Sequence, residues 1–154
     1  MRFLGDRRLV LFLRLALGVV FILAALPKLQ DPAGFARSIS HYHLVPEGTE
    51  RMLALTLPPL ELLVGLGLIF GVLDAGAALL GFAMLVVFTA AIGVAVARGL
   101  DISCGCFDTD GGTKVGVSKL VENTLMVIAA GLVMVGDRTL LSISAWMRRS
   151  GDIE

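Results

Sequence analysis

The feature that most constrains this chain is a set of apolar runs as long as a bilayer is thick. A hydrocarbon core of about 30 Å needs about 20 apolar residues at the rise of an α-helix. Runs over 9–26, 52–73 and 75–97 meet that length; Arg14 is the one charge in the first, Glu61 the one charge in the second, and the third has none. A fourth run, 120–135, is shorter and carries Glu122 and Asn123 near its start, a length that local bilayer thinning accommodates. With 56% of the 154 residues hydrophobic and a mean hydropathy of +0.88, a soluble fold has nowhere to hide the apolar surface. The reading is an all-α integral membrane four-helix bundle. It forms a single transmembrane domain over 1–154, with helices at about 9–28, 52–73, 75–98 and 119–136 and outer loops at 29–51 and 99–118.

The local punctuation supports this layout. Asp74 is the only charged residue between the second and third runs, so these form a tight antiparallel hairpin with Gly71 and Gly76 at the turn. Gly65, Gly67, Gly81 and Gly93 suit close helix packing in lipid, where small residues let backbones approach. The first run has the basic leader of a signal peptide, but it exceeds the usual apolar length and ends in Leu26, Pro27, Lys28 without a small-residue cleavage site, so it is expected to remain attached. Positive charge divides evenly between the two faces. Arg2, Arg7 and Arg8 nevertheless precede the first helix, which favours cytoplasmic termini and two long loops facing outward from the inner membrane. A formal net charge of zero leaves no global field to attract nucleic acid.

The stretch Asp101, Ile102, Ser103, Cys104, Gly105, Cys106, Phe107, Asp108 holds the chain's two cysteines, one residue apart. Two thiols separated by a single glycine can react with each other, and so short a bridge strains the disulfide and makes it easier to reduce than a structural bond. Such a bond persists in an oxidising compartment, which agrees with an outward loop. The other readings are two inert cysteines or a weak copper or zinc contact, although two ligands do not complete a tetrahedral zinc site. Lys114 or Lys119 nearby would lower a thiol pKa, while Asp101 and Asp108 would raise it.

Glu61 lies mid-helix just after Pro58 and Pro59, and an ionisable group at that depth calls for a partner or a task. Arg14 is the partner this reading offers. The pair serves either as structural glue or in proton transfer or ligand binding. Glu122 and Asn123 begin the fourth helix on the side of the cysteines, as an acid near the thiols or as a solvated helix start. His41, Tyr42 and His43 stand as a proton relay, a metal contact, or an exposed interfacial patch with Tyr42 in the headgroup zone. No set of ligands complete enough for a metal site is readable.

Four segments together carry a resemblance. They are the arginine-led first helix closing with Leu26, Pro27, Lys28, Leu29; His41, Tyr42, His43, Leu44, Val45, Pro46; Pro58, Pro59, Leu60, Glu61; and Cys104, Gly105, Cys106, Phe107. In these the chain resembles the DoxX/MauE family of small redox-associated membrane proteins. The family often has glycine after the phenylalanine where this chain has Asp108. The resemblance implies a four-helix bundle that works with a periplasmic thioredoxin-like or other thiol protein in disulfide formation or thiol transfer, and by analogy a quinone as membrane acceptor. Three functions then stand against one another: a thiol-disulfide oxidoreductase, a non-catalytic scaffold or accessory subunit of a redox enzyme complex, and a small-solute transporter built around Glu61. Transport is the weakest, because no inverted repeat is visible.

Overall fold

The computed structural model describes residues 7–46, 48–71, 74–99 and 116–135. Five helices run through them in order: α1 (Arg7–Gln30), α2 (Pro32–His41), α3 (Thr49–Phe70), α4 (Asp74–Ala97) and α5 (Val117–Val135). Four of these, all but α2, are long and apolar enough to cross a membrane. The chain is an all-α membrane helical bundle.

The spans are only weakly one-sided because both sides are apolar. Leu17, Phe21, Val64, Leu68, Leu85 and Val133 meet in the core. Phe12 (67%), Leu63 (65%), Val87 (70%) and Leu125 (62%) remain largely exposed on the outside of the bundle. Large apolar side chains on every outer helix face are stable against acyl chains and are a liability in water.

Packing follows the small residues. α1 lies along α3 and α4 along α5, and contacts of α3 with α4 and of α1 with α5 close the bundle. Where α1 crosses α3, a Cβ built on Gly18 would stand 2.9 Å from the Gly65 carbonyl oxygen, and one built on Gly65 would stand 2.9 Å from the Gly18 carbonyl oxygen. Real Cβ atoms do not come so close to backbone, so the two glycines together set the helix separation. Gly81 is similarly tight, with Val64 Cγ1 at 3.0 Å from its built Cβ. Gly93 is not, since its nearest atom is 3.9 Å away, and packing does not require glycine there.

Two local features depart from the sequence reading. The stretch 29–51, expected as a loop, contains α2. Asp31 caps it, its Oδ1 accepting from the Gly34 N–H at 2.8 Å, and Pro32 takes the first helical position, where its missing N–H is no loss. At the hairpin between α3 and α4, Gly71 ends α3 in the left-handed region (φ 65°), its N–H donating to the Gly67 carbonyl. Gly76, expected beside it in the turn, lies inside α4.

Candidate functional site

The site is built around a charged pair. Lys28 lies near the C-terminus of α1 and Glu61 in the second half of α3. Lys28 Nζ donates to Glu61 Oε1 at 2.6 Å and to Oε2 at 2.8 Å. Both side chains are buried, at 3% and 11% exposure. The rings of Phe35 (α2) and Phe88 (α4) stand over the ammonium, with centroids at 4.9 Å and 5.6 Å. Two ring faces and a carboxylate thus replace the water that a lysine normally keeps.

The expected partner of Glu61 was Arg14, and the structure corrects this. The close approach of Gly18 and Gly65 fixes the antiparallel register of α1 on α3, which puts Glu61 level with about residues 22–26 of α1. Arg14 is then ~12–18 Å along the axis in one direction, and Lys28 only ~3–9 Å in the other. Side-chain direction settles the choice. Helical side chains lean toward their own N-terminus, so in antiparallel helices Lys28 leans into the bundle and Glu61 leans to meet it. Arg14 leans away from Glu61. It is itself buried, at 2% exposure, on the far side of the crossing.

Above the pair lies a cavity of about 300 Å³ whose walls come from all five helices, including Leu17, Phe21, Phe35, Met84, Phe88 and Met126. Its polar members are Lys28, Glu61 and Asn123. Asn123 is 8% exposed, and its Nδ2 has no hydrogen-bond partner among the described residues. The expectation of a solvated start to the last helix therefore separates into two. Glu122 is half-exposed and pairs with Lys119 at 2.7 Å, whereas Asn123 is turned into the bundle. Reading the sequence for chemistry missed Lys28, which looked like a flanking charge. The available signal was a lysine at the end of an apolar run, at the same end of the bundle as the first turns of α3.

The His41, Tyr42, His43 cluster does not act as one surface. His41 ends α2, and His43 follows in the left-handed region (φ 49°). Both are exposed, while Tyr42 between them is buried rather than set in an exposed headgroup patch. Burial pushes the Tyr42 phenol up to about 12 from 10.0. The folded protein thus holds this proton more tightly than the unfolded chain, so the group's contribution to stability is complete below pH 10.0 and declines as pH rises to about 12. Because Tyr42 is the chain's one tyrosine, tyrosinate absorbance reports it alone. Its ionisation is expected near pH 12 in folded protein, and a midpoint at the free value would mean that the phenol is wet. Among the described residues, no group of three or more His, Cys, Asp or Glu gathers as a metal site. Cys104 and Cys106 lie outside the described residues. Their segment joins the C-terminus of α4 to the N-terminus of α5.

Four candidate spans, a charge pair sealed between two of them and an apolar cavity beside it define a multi-pass membrane protein with a polar site inside its helices. The family model "Methylamine utilisation protein MauE" matches residues 6–136, and the chain belongs to that family. It is 37% identical over 119 residues to methylamine utilization protein MauE of Paracoccus denitrificans, covering 77% of this chain and 63% of that protein. Identity to methylamine utilization protein MauE of Methylorubrum extorquens is 34% over 131 residues, covering 84% of this chain and 70% of the other. The chain thus spans a little under two thirds to somewhat over two thirds of these relatives' lengths. No solved structure matches it.

Proposed function

We propose that this membrane protein is a thiol-disulfide redox protein serving a methylamine utilisation system. Cys104 and Cys106 exchange electrons between an extracytoplasmic thioredoxin-like protein and a membrane acceptor. The observation that carries this reading is Cys104-Gly105-Cys106 in the segment joining two spans. A thiolate of the reduced partner attacks one sulfur of the Cys104–Cys106 disulfide, breaking the S–S bond and expelling the other sulfur as thiolate. The partner's second thiolate then attacks the mixed disulfide and leaves as partner disulfide. Two electrons and two protons are left on Cys104 and Cys106. Re-oxidation passes both to a lipid-soluble two-electron acceptor of the quinone class, forming the quinol. The three leading arginines support a cytoplasmic N-terminus in the inner membrane. After three crossings, by α1, α3 and α4, the segment with the cysteines then lies on the extracytoplasmic side.

Single replacements C104S and C106S leave one thiol, whose thiolate attacks the disulfide of the oxidised partner and expels one partner sulfur as thiolate; this chain then has no second thiol to resolve the mixed disulfide, and only the partner's own thiolate can reverse the step. In intact membranes, at least one variant is expected to accumulate a reductant-sensitive adduct, and mass spectrometry of that adduct should identify a thioredoxin-like protein. If neither variant traps a protein, the exchange reading is wrong.

A further inference from the structure

The cavity between the spans has properties that thiol exchange does not use. A dry cavity of about 150 Å³ lined by Leu, Ile and Phe takes up benzene, and this one, at about 300 Å³, has room for a substituted six-membered ring. Phe21, Phe35 and Phe88 contribute to its walls, faces suited to a flat ring. Its mouth is on the bilayer side, since the exposed Ala83 and Val87 of α4 also line it. Entry is therefore from lipid.

The polar end selects for more than shape. Lys28 is already served by both Glu61 oxygens and by the rings of Phe35 and Phe88, so the pair asks for no further partner. Asn123 Nδ2, nine-tenths buried, has no partner among the described residues. A buried donor left unmade costs about 1–3 kcal/mol, and the apolar lining provides nothing to satisfy it. What the site lacks is an acceptor oxygen. A charged acceptor would bring a second anion beside Glu61, so the missing group is neutral.

From the unmet Asn123 donor, the ring-lined walls and the opening to lipid, we infer that this cavity is a binding site for a membrane-soluble planar ring compound bearing a neutral carbonyl oxygen, an inference that rests on the proposed function in that it gives its quinone-class acceptor a place in the bundle. The carbonyl accepts from Asn123 Nδ2 and the ring lies among the phenylalanines. The ester carbonyl of a bilayer phospholipid offers the same acceptor without the ring, so the test separates the two.

Binding is measured in detergent on the full chain carrying C104S and C106S, so the outcome does not depend on thiol exchange. The probes are 2-decyl-1,4-benzoquinone and decylbenzene, which has the same body without the oxygens. The benzoquinone is expected to bind saturably at one site and to raise the thermal midpoint, with decylbenzene at least tenfold weaker. N123L removes the donor at similar volume and is expected to weaken the benzoquinone at least tenfold while leaving decylbenzene unchanged. A83W, at an exposed position, closes the mouth and is expected to abolish binding of both. Equal affinity for the two probes overturns the inference. So does benzoquinone binding that is indifferent to N123L and A83W, or a phospholipid retained at the site in native mass spectrometry that the benzoquinone does not displace.

Discussion

Replacing Lys28 by methionine is expected to destabilise the folded bundle by about 3–5 kcal/mol, the range for removing one partner of a buried ion pair. The expectation follows from where the pair sits. Nζ is 2.6 Å from Glu61 Oε1 with side chains 3% and 11% exposed, and in a bilayer no water layer takes over when one charge is lost. E61Q is expected to act in the same direction, because it leaves an ammonium held by two rings and one neutral amide. The double variant K28M/E61L removes both charges at roughly conserved volume and should recover most of the loss, since a buried pair and an apolar replacement are often near equal. Unfolding in mixed micelles, read as a free energy for the four proteins, gives the double-mutant cycle directly. A loss below about 1 kcal/mol for K28M, the scale of an exposed pair, would place the pair in contact with water. Activity separates glue from task. If the double variant is as abundant and as stable as the parent but turns over poorly, Glu61 and Lys28 handle protons or ligand rather than merely hold helices.

The same pair marks how far the sequence alone reaches. Span count and helix type follow from composition along the chain, because a bilayer imposes one length and one hydrogen-bonding solution on any apolar run. That Glu61 needs a partner is equally legible, since the cost of an ionisable group at that depth is local to the residue. Which partner it takes is not, because this depends on the register of α1 against α3, set by Gly18 and Gly65 touching across the crossing. A one-dimensional reading has no access to that contact. α2 escaped for a different reason. At ten residues, mixed in polarity and unable to span, it falls below the length at which periodicity is persuasive, although Asp31 followed by Pro32 is a legible start signal. Tyr42 illustrates a third limit. Its neighbours are exposed histidines, and only the fold reveals that the ring between them is buried.

Reversible bonding of Cys104 to Cys106 at a relatively oxidising potential is the outcome on which the redox reading stands. Structural disulfides in secreted proteins typically have potentials below about −300 mV. A bridge spanning one glycine closes a ring too small for relaxed disulfide geometry, and each ~30 mV by which strain raises the potential corresponds to ~1.4 kcal/mol for a two-electron couple. A few kcal/mol of strain therefore moves the midpoint well above the structural range, into reach of glutathione buffers. Purified protein equilibrated across a glutathione or dithiothreitol redox series and quenched with a thiol-alkylating reagent should titrate as one two-electron transition. C104S and C106S should each abolish both that transition and function in cells, because neither half of a dithiol can cycle alone. Abundance in the membrane should be unchanged, since serine differs from cysteine by one atom and the core residues described in α1, α3, α4 and α5 keep their identities. That contrast with Lys28 is diagnostic: one site is expected to lose stability and the other only activity. If the two sulfurs never bond to each other, or if C104S/C106S supports full function, the thiols are bystanders, and the protein acts through its helices as a membrane scaffold.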